Sequence, residues 1–172
     1  SDKEKGDEIF FFEAENEQEE GVFIVNEIQR LLETNESPSI ALLYRTNAQS
    51  RVLEEVFLHF SIPYTLIGGV RFYERREIKD IISYIRLFVN PNDELSKDRI
   101  IKLGKRKWAK FKELYNSIKN KVQNLPTEQL INKIFESTGY LDFYDEKDPD
   151  DFSRLENIKE LKSVAIRFPD IG

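Results

Sequence analysis

Over the first 70 residues, short unbroken apolar runs alternate with apolar positions at helical spacing; beyond them only the helical spacing continues. Glu8-Ile-Phe-Phe-Phe-Glu13 is short, apolar and aromatic, which predicts a strand. Asn16 followed by Glu19 forms a capping pair that opens a helix, with Val25, Ile28 and Leu32 on one face. Thr34 to Pro38 carry loop chemistry, and Ser39 to Tyr44 read as a buried strand. Asn47 is expected to cap the next helix, where Leu53, Val56, Phe57 and Phe60 recur at helical spacing. Ile62-Pro63 breaks it, and Tyr64 to Ile67 form a third short strand closed by Gly68-Gly69. Strand, helix, strand, helix, strand predicts an α/β lobe: a short parallel sheet with flanking helices and right-handed crossovers.

The rhythm then changes. Ile78, Ile81, Ile82, Ile85, Phe88 and Val89 form a helical stripe that stops at Asn90-Pro91-Asn92. Phe111, Leu114, Tyr115 and Ile118 mark a further helix. Another runs from a capping Thr127 to Thr138 and stops at Gly139. Leu155, Ile158, Leu161, Ala165 and Phe168 mark a third. The expected division is therefore an α/β lobe over 1–90 and a mostly helical lobe over 91–172.

Composition narrows the class. No apolar stretch approaches the roughly 20 residues of a membrane-spanning helix, and the polar start has no signal-peptide core. The absence of cysteine excludes disulfides and thiolate chemistry, which fits a cytoplasmic setting. The chain holds no methionine and begins at Ser1, which suggests a piece of a longer protein. The net charge of −6 is unevenly spread: nine acidic side chains and two lysines fall in the first twenty residues. From Lys97 to Lys121, ten basic residues face only Asp98 and Glu113. A polyanion responds to local charge, because salt screens beyond about 10 Å; the plainer reading of this segment is a solvated helix face.

Three constellations can carry chemistry. Tyr44 and Arg45 leave the end of the second apolar run: a ring that can stack on a base and a fixed fork of donors that can clamp a phosphate. The same dipeptide also suits a sheet edge with an arginine paired to a carboxylate. Gly68-Gly69 lead into Arg71, Phe72, Arg75, Arg76 and Lys79, where flexible backbone and clustered charge suit a nucleic-acid backbone. Glu77 and Asp80 can instead form ordinary surface pairs along that helix. Lys105, Arg106 and Lys107, beside Gly104 and the sole tryptophan, Trp108, form a basic turn that can grip phosphates or simply solvate the helix that Trp108 anchors. His59 stands alone, and Asp145, Asp148, Asp150 and Asp151 lack calcium-loop spacing and suit a helix-capping turn. There is no phosphate loop.

Read in order, these segments resemble the UvrD/PcrA/Rep family of ATP-dependent DNA helicases. The matching text is Leu43-Tyr-Arg-Thr-Asn-Ala-Gln-Ser-Arg-Val-Leu-Glu-Glu55, Ile62-Pro-Tyr64, Gly68-Gly69 with Arg71-Phe-Tyr-Glu-Arg-Arg-Glu-Ile-Lys-Asp80, and Tyr84-Ile-Arg-Leu87. Glu17 to Glu20, Gly139-Tyr-Leu141 and Arg154-Leu-Glu-Asn157 add weaker support.

The resemblance implies that residues to about 90 begin the second RecA-like motor domain and that the rest begins its inserted helical subdomain. It implies a tyrosine at 44 against adenine and an arginine at 45 toward the terminal phosphate. Gly69, Arg71, Phe72, Arg75 and Lys79 would lie toward the DNA track. ATP and Mg2+ would be the cofactors of the full-length protein. DNA, single-stranded and at a duplex junction, and the first motor domain of the same chain would be its partners. The family's usual Pro-Lys-Arg-Gly-Ile-Gly turn is replaced by Leu103-Gly-Lys-Arg-Lys-Trp108, which keeps positive charge at Lys105, Arg106 and Lys107 but loses the glycine-rich contact. Without a phosphate loop this piece alone is expected to be inactive toward ATP. A helicase–nuclease relative and a stand-alone DNA-binding module stay open beside the helicase reading.

Overall fold

Seven α-helices and no β-strand are found among residues 8–34 and 39–170, the part of the chain that this computed structural model describes. The short parallel sheet of a partial RecA-like lobe, expected above, is therefore corrected. Segments 8–13, 39–44 and 64–67 are non-helical, yet no backbone ladder joins them. Ile9, Leu43 and Ile67 are about nine-tenths exposed or more, at 99%, 89% and 90%. An apolar run sets a local preference for extended backbone; a strand is completed only by hydrogen bonds to a neighbour. The loop expected over 34–38 lies, beyond Thr34, outside the described residues.

The described residues fall into two units, within Ser1–Thr65 and Leu66–Gly172. In the first, α1 spans Glu17–Thr34 and α2 Asn47–His59. Asn16 Oδ1 accepts the Gln18 and Glu19 amides at 3.1 and 3.0 Å, and the Glu19 carboxylate accepts the Glu15 amide at 2.7 Å. The predicted cap of α1 is thus in place. For α2 the cap is Thr46, and Asn47 is its first helical residue. Gln49 decides between them: it stands three residues after Thr46, where its side chain completes a reciprocal capping box. Val25 of α1 buries against Val52, Val56 and Phe57 of α2, flanked by Ile24, Ile28, Ile62 and Tyr64. Gly21 permits this approach, because a Cβ there would lie 2.9 Å from Val56 Cγ2. Leu32, read as part of the buried stripe, is half-exposed, one turn beyond that contact.

The second unit is built around one helix. A 3-10 turn at Phe72–Glu74 leads into α3, Arg76–Val89, followed by α4 (Glu94–Lys102), α5 (Lys105–Ile118), α6 (Thr127–Thr138) and α7 (Pro149–Arg167). Ile78, Ile81, Tyr84, Leu87 and Phe88 of α3 share one core with Ile100, Phe111, Leu130, Ile131, Ile134, Ile158 and Leu161. Each such side chain, taken fully from water, contributes about 1.5–3 kcal/mol. The ends are marked locally. Asp93 caps α4 through the Ser96 amide at 3.1 Å, and Asp148 caps α7 through the Asp150 and Asp151 amides at 2.9 and 3.0 Å. Gly139 ends α6 with φ at +61°, where a Cβ would be strained. Thr127 is not the cap expected of it. Its amide and hydroxyl both donate to the Pro169 carbonyl at 2.8 Å, and Pro126 holds the cap position.

Candidate nucleotide and nucleic-acid contacts

Tyr44 and Arg45 immediately precede the cap of α2, and the capping box fixes their exit. Gln49 Oε1 accepts both the Arg45 and the Thr46 amides, at 3.0 and 3.1 Å, so the backbone at Arg45 is tied to the first turn of the helix. The Tyr44 ring is 39% exposed. The Arg45 side chain is exposed, and among the described residues it makes no hydrogen bond or ion pair. A planar ring and an uncommitted guanidinium thus leave one short, anchored segment. The pairing of Arg45 with a nearby carboxylate, the plainer reading of the sequence, is not seen among those residues. By contrast, Arg51, six residues further on and within α2, is 3% exposed and pairs with Glu55.

The glycine pair and its basic followers lie in the second unit, and here the residues diverge. Gly68 has φ at +76°, and Gly69 beside it is exposed. Arg71 is exposed at the entry to the 3-10 turn, while Phe72 is 1% exposed and belongs to the core. Arg75 folds back: Nε donates to the Val70 carbonyl at 3.1 Å and Nη1 to Asn157 Oδ1 at 2.6 Å, with the guanidinium 5.3 Å from the Phe72 ring centre. Asn157, on α7, in turn donates from Nδ2 to Glu77 Oε1 at 2.7 Å. Arg75 is thus a brace between the glycine loop and α7. Lys79 stands exposed on α3.

Glu77 and Asp80 are 4% and 2% exposed, and neither forms the surface pairs that helical spacing suggests. Asp80 accepts from Arg99 of α4 at 2.8 Å and from the Tyr140 hydroxyl at 3.0 Å, and that hydroxyl also lies 3.0 Å from Tyr144 Oη. Burial first, and then the Asp80 charge, push the Tyr140 hydroxyl well above the ordinary tyrosine range.

Between α3 and α4 lies a cleft of about 820 Å³ whose walls carry Arg76, Lys79, Arg86, Arg99 and Lys102 against Asp80 and Asp98. The sequence pattern marks Arg76 and Lys79, in the basic cluster after the glycine pair, but does not bring Arg86 and Arg99 to the same place. For Arg86 a signal was present: positions 76, 79, 83 and 86 fall on one helical face.

The basic turn at the start of α5 also divides. Lys105 and Arg106 are exposed in a first turn that contains no acidic residue and no side-chain cap. Lys107 is half-buried. Its Nζ donates to the carbonyls of Thr138, at 3.3 Å, and Gly139, and lies 4.2 Å from the Phe143 ring centre. Burial holds its pKa below the ordinary lysine value. A cation closing the end of α6 is favourable there, because carbonyls at a helix C-terminus carry partial negative charge. Trp108 packs against the core and stacks with Phe111, the anchoring role weighed above. No group of three or more metal-ligating side chains gathers among the described residues.

The profile of the UvrD-like helicase C-terminal domain matches residues 1–147. This chain belongs to that family. It is 34% identical to the ATP-dependent DNA helicase PcrA of Staphylococcus epidermidis (strain RP62A) over 92% of its own length. It is 32% identical to PcrA of Staphylococcus aureus (strain Mu50) over the same share. In each case the match covers 27% of the relative, so the chain spans about a quarter of the length of these proteins. The family profile takes in Tyr44 and Arg45, the glycine pair, the α3–α4 cleft and the start of α5, and ends before α7.

Proposed function

We propose that this chain is part of an ATP-dependent DNA helicase and contributes nucleotide-sensing and DNA-contact residues to the intact motor. The carrying observation is the exposed Arg45 beside Tyr44, without a side-chain partner among the described residues and held at the start of α2 by the Thr46–Gln49 box, in a member of the UvrD-like helicase C-terminal domain family. Tyr44 offers a stacking face to adenine, and Arg45 offers fixed positive charge to the terminal phosphate. A guanidinium at that position stabilises charge developing on the transferred phosphoryl group. ATP and Mg2+ are the cofactors of the intact protein, DNA is its substrate, and the first motor domain completes the nucleotide site; the cytoplasm is its setting. This piece by itself does not turn over ATP.

Exposed Lys79, Lys105, Arg106 and Arg71, with the open backbone at Gly69, are the DNA contacts of this reading. Phe72, Arg75 and Lys107 support them from within the fold.

Arg45→Ala in the intact parent protein is the test. Arginines that meet a transferring phosphoryl group contribute roughly 10³-fold or more to turnover. DNA-stimulated ATP hydrolysis should fall by about that factor, while affinity for single-stranded DNA stays within about twofold. Undiminished hydrolysis would remove Arg45 from the nucleotide site.

A further inference from the structure

We propose that the cleft between α3 and α4 is a binding site for single-stranded nucleic acid, in which both helices carry the phosphate backbone and Tyr73 receives a base. The choice of polymer rests on the helicase reading; the cleft itself does not. Arg76, Lys79 and Arg86 rise along one face of α3, and Arg99 and Lys102 of α4 line the same cavity. Ten residues separate Arg76 from Arg86, about 15 Å of helix. That length spans more than one phosphate of a strand, since neighbouring phosphates lie about 3.4 Å apart along the axis of a duplex and further apart when the strand is extended. A row of cations suits a chain of repeated negative charge better than one small anion.

The cations are available. Arg76, Lys79, Arg86 and Lys102 make no ion pair with any described residue. Arg99 is held by Asp80, whose side chain is 3% exposed and which also accepts from Tyr140. Asp80 is thereby a positioning residue: it holds the Arg99 guanidinium at the cleft wall, at a fixed distance from α3. The only other carboxylate in the lining is Asp98. The cleft also presents apolar surface, with Tyr73 42% and Leu95 86% exposed. Stacking surface alongside a basic track is the combination that binds unpaired bases without sequence preference.

The test uses the intact parent protein and fluorescently labelled oligo(dT), with anisotropy titrations over a series of KCl concentrations. Each phosphate contact on a single strand contributes about −0.7 to the slope of log K against log salt. The variant Lys79→Ala/Arg86→Ala/Lys102→Ala should therefore flatten the slope by about 2 and weaken binding at least tenfold at moderate salt. Tyr73→Ala should weaken binding about fivefold or more with the slope retained, while Lys133→Ala, an exposed cation on α6 away from the cleft, should change neither. If the triple variant melts early, Arg86→Glu alone, at an exposed position, is read by the same slope. A wild-type slope in a folded variant overturns the site. A flattened slope with full affinity in Tyr73→Ala overturns the assignment to nucleic acid and leaves a general polyanion site. ATP turnover of the wild-type parent, measured on the same preparation, separates this from the helicase reading: absent turnover refutes that reading without moving the slope.

Discussion

Asn157→Ala should be among the most damaging single truncations in the second unit, although it removes few atoms. Asn157 is 4% exposed and satisfies two groups at once, accepting from Arg75 Nη1 at 2.6 Å and donating to Glu77 Oε1 at 2.7 Å. Glu77 is itself 4% exposed, so truncation leaves a buried carboxyl oxygen without its donor. A hydrogen bond to a charged group is worth about 1.5–3 kcal/mol, and an abandoned buried partner carries its full desolvation cost. Arg75 is only partly buried and can be rehydrated, so its share belongs at the bottom of that range. Together the loss is about 3 kcal/mol. For a domain of this size each kcal/mol moves the melting temperature by roughly 4–8 °C, which gives a fall of about 12 °C or more. Trp108 is the only tryptophan in the chain and packs in this unit, so its fluorescence during a melt follows this unit alone. A fall of less than about 3 °C would refute the view that the Arg75–Asn157–Glu77 bridge joins α3 to α7. The double variant Glu77→Leu/Asn157→Leu supplies the converse check. With both polar partners replaced, it should recover part of the loss.

Lys107→Ala should lower the Trp108 melt by about 5 °C, for roughly 1 kcal/mol of lost capping at α6, and leave the salt slope for oligonucleotide binding by the parent unchanged. Lys105→Ala/Arg106→Ala should do the opposite, flattening that slope with no loss of melting temperature, since cations in a first turn oppose the helix dipole; identical behaviour of the two variants would contradict separate roles for Lys107 and its two exposed neighbours. Burial raises the hydroxyl pKa of Tyr140 and Tyr144, and pushes that of Tyr84 from 10.0 up to about 12. The fold therefore favours the neutral phenols: their contribution is complete below about pH 10 and is lost as pH rises from there toward 12. The Trp108 melting temperature should decline over that window and decline less steeply in Tyr140→Phe, whereas a flat profile would count against the buried tyrosine cluster.

The elements legible in the sequence were those whose cause is local. Asn16 and Asp148 mark helix starts through amides two or three residues away, and Gly139 ends α6 through its own left-handed backbone. The α3 stripe was readable because Ile78, Ile81 and Phe88 repeat at the helical period. The three apolar runs failed as strands because a strand is a relation between segments, and nothing in Glu8 to Glu13 specifies a partner. Thr46 outcompeted Asn47 as a cap for a reason visible in the sequence, Gln49 at the right offset, but both residues are good caps and only the pair of offsets separates them. Of the candidate site residues, Tyr44, Arg45, Lys79, Lys105 and Arg106 keep the exposure that a ligand contact requires. Arg75 and Lys107 are indistinguishable from their neighbours as sequence. Their partners, Asn157 and the end of α6, are tens of residues away, and only the fold sets that distance.

The same long-range partners explain why α3 can carry charge in an orderly way. Its apolar stripe makes it the shared wall of the second unit's core, and the two acidic residues at its start are buried as anchors. Glu77 reaches α7 through Asn157, and Asp80 reaches α4 through Arg99 and the turn after α6 through Tyr140. With core and anchors fixing α4 against α3, the basic residues between these helices are carried on rigid elements, and little ordering is left to be done when an anion arrives. Asp80→Asn is therefore the informative perturbation of this arrangement. It keeps the side chain's volume and an acceptor for Arg99 while removing the charge that holds the guanidinium. If the buried carboxylate fixes the basic track, this single change should weaken oligonucleotide binding in the parent as well as stability. If stability falls and binding at low temperature does not, the carboxylate serves the core alone.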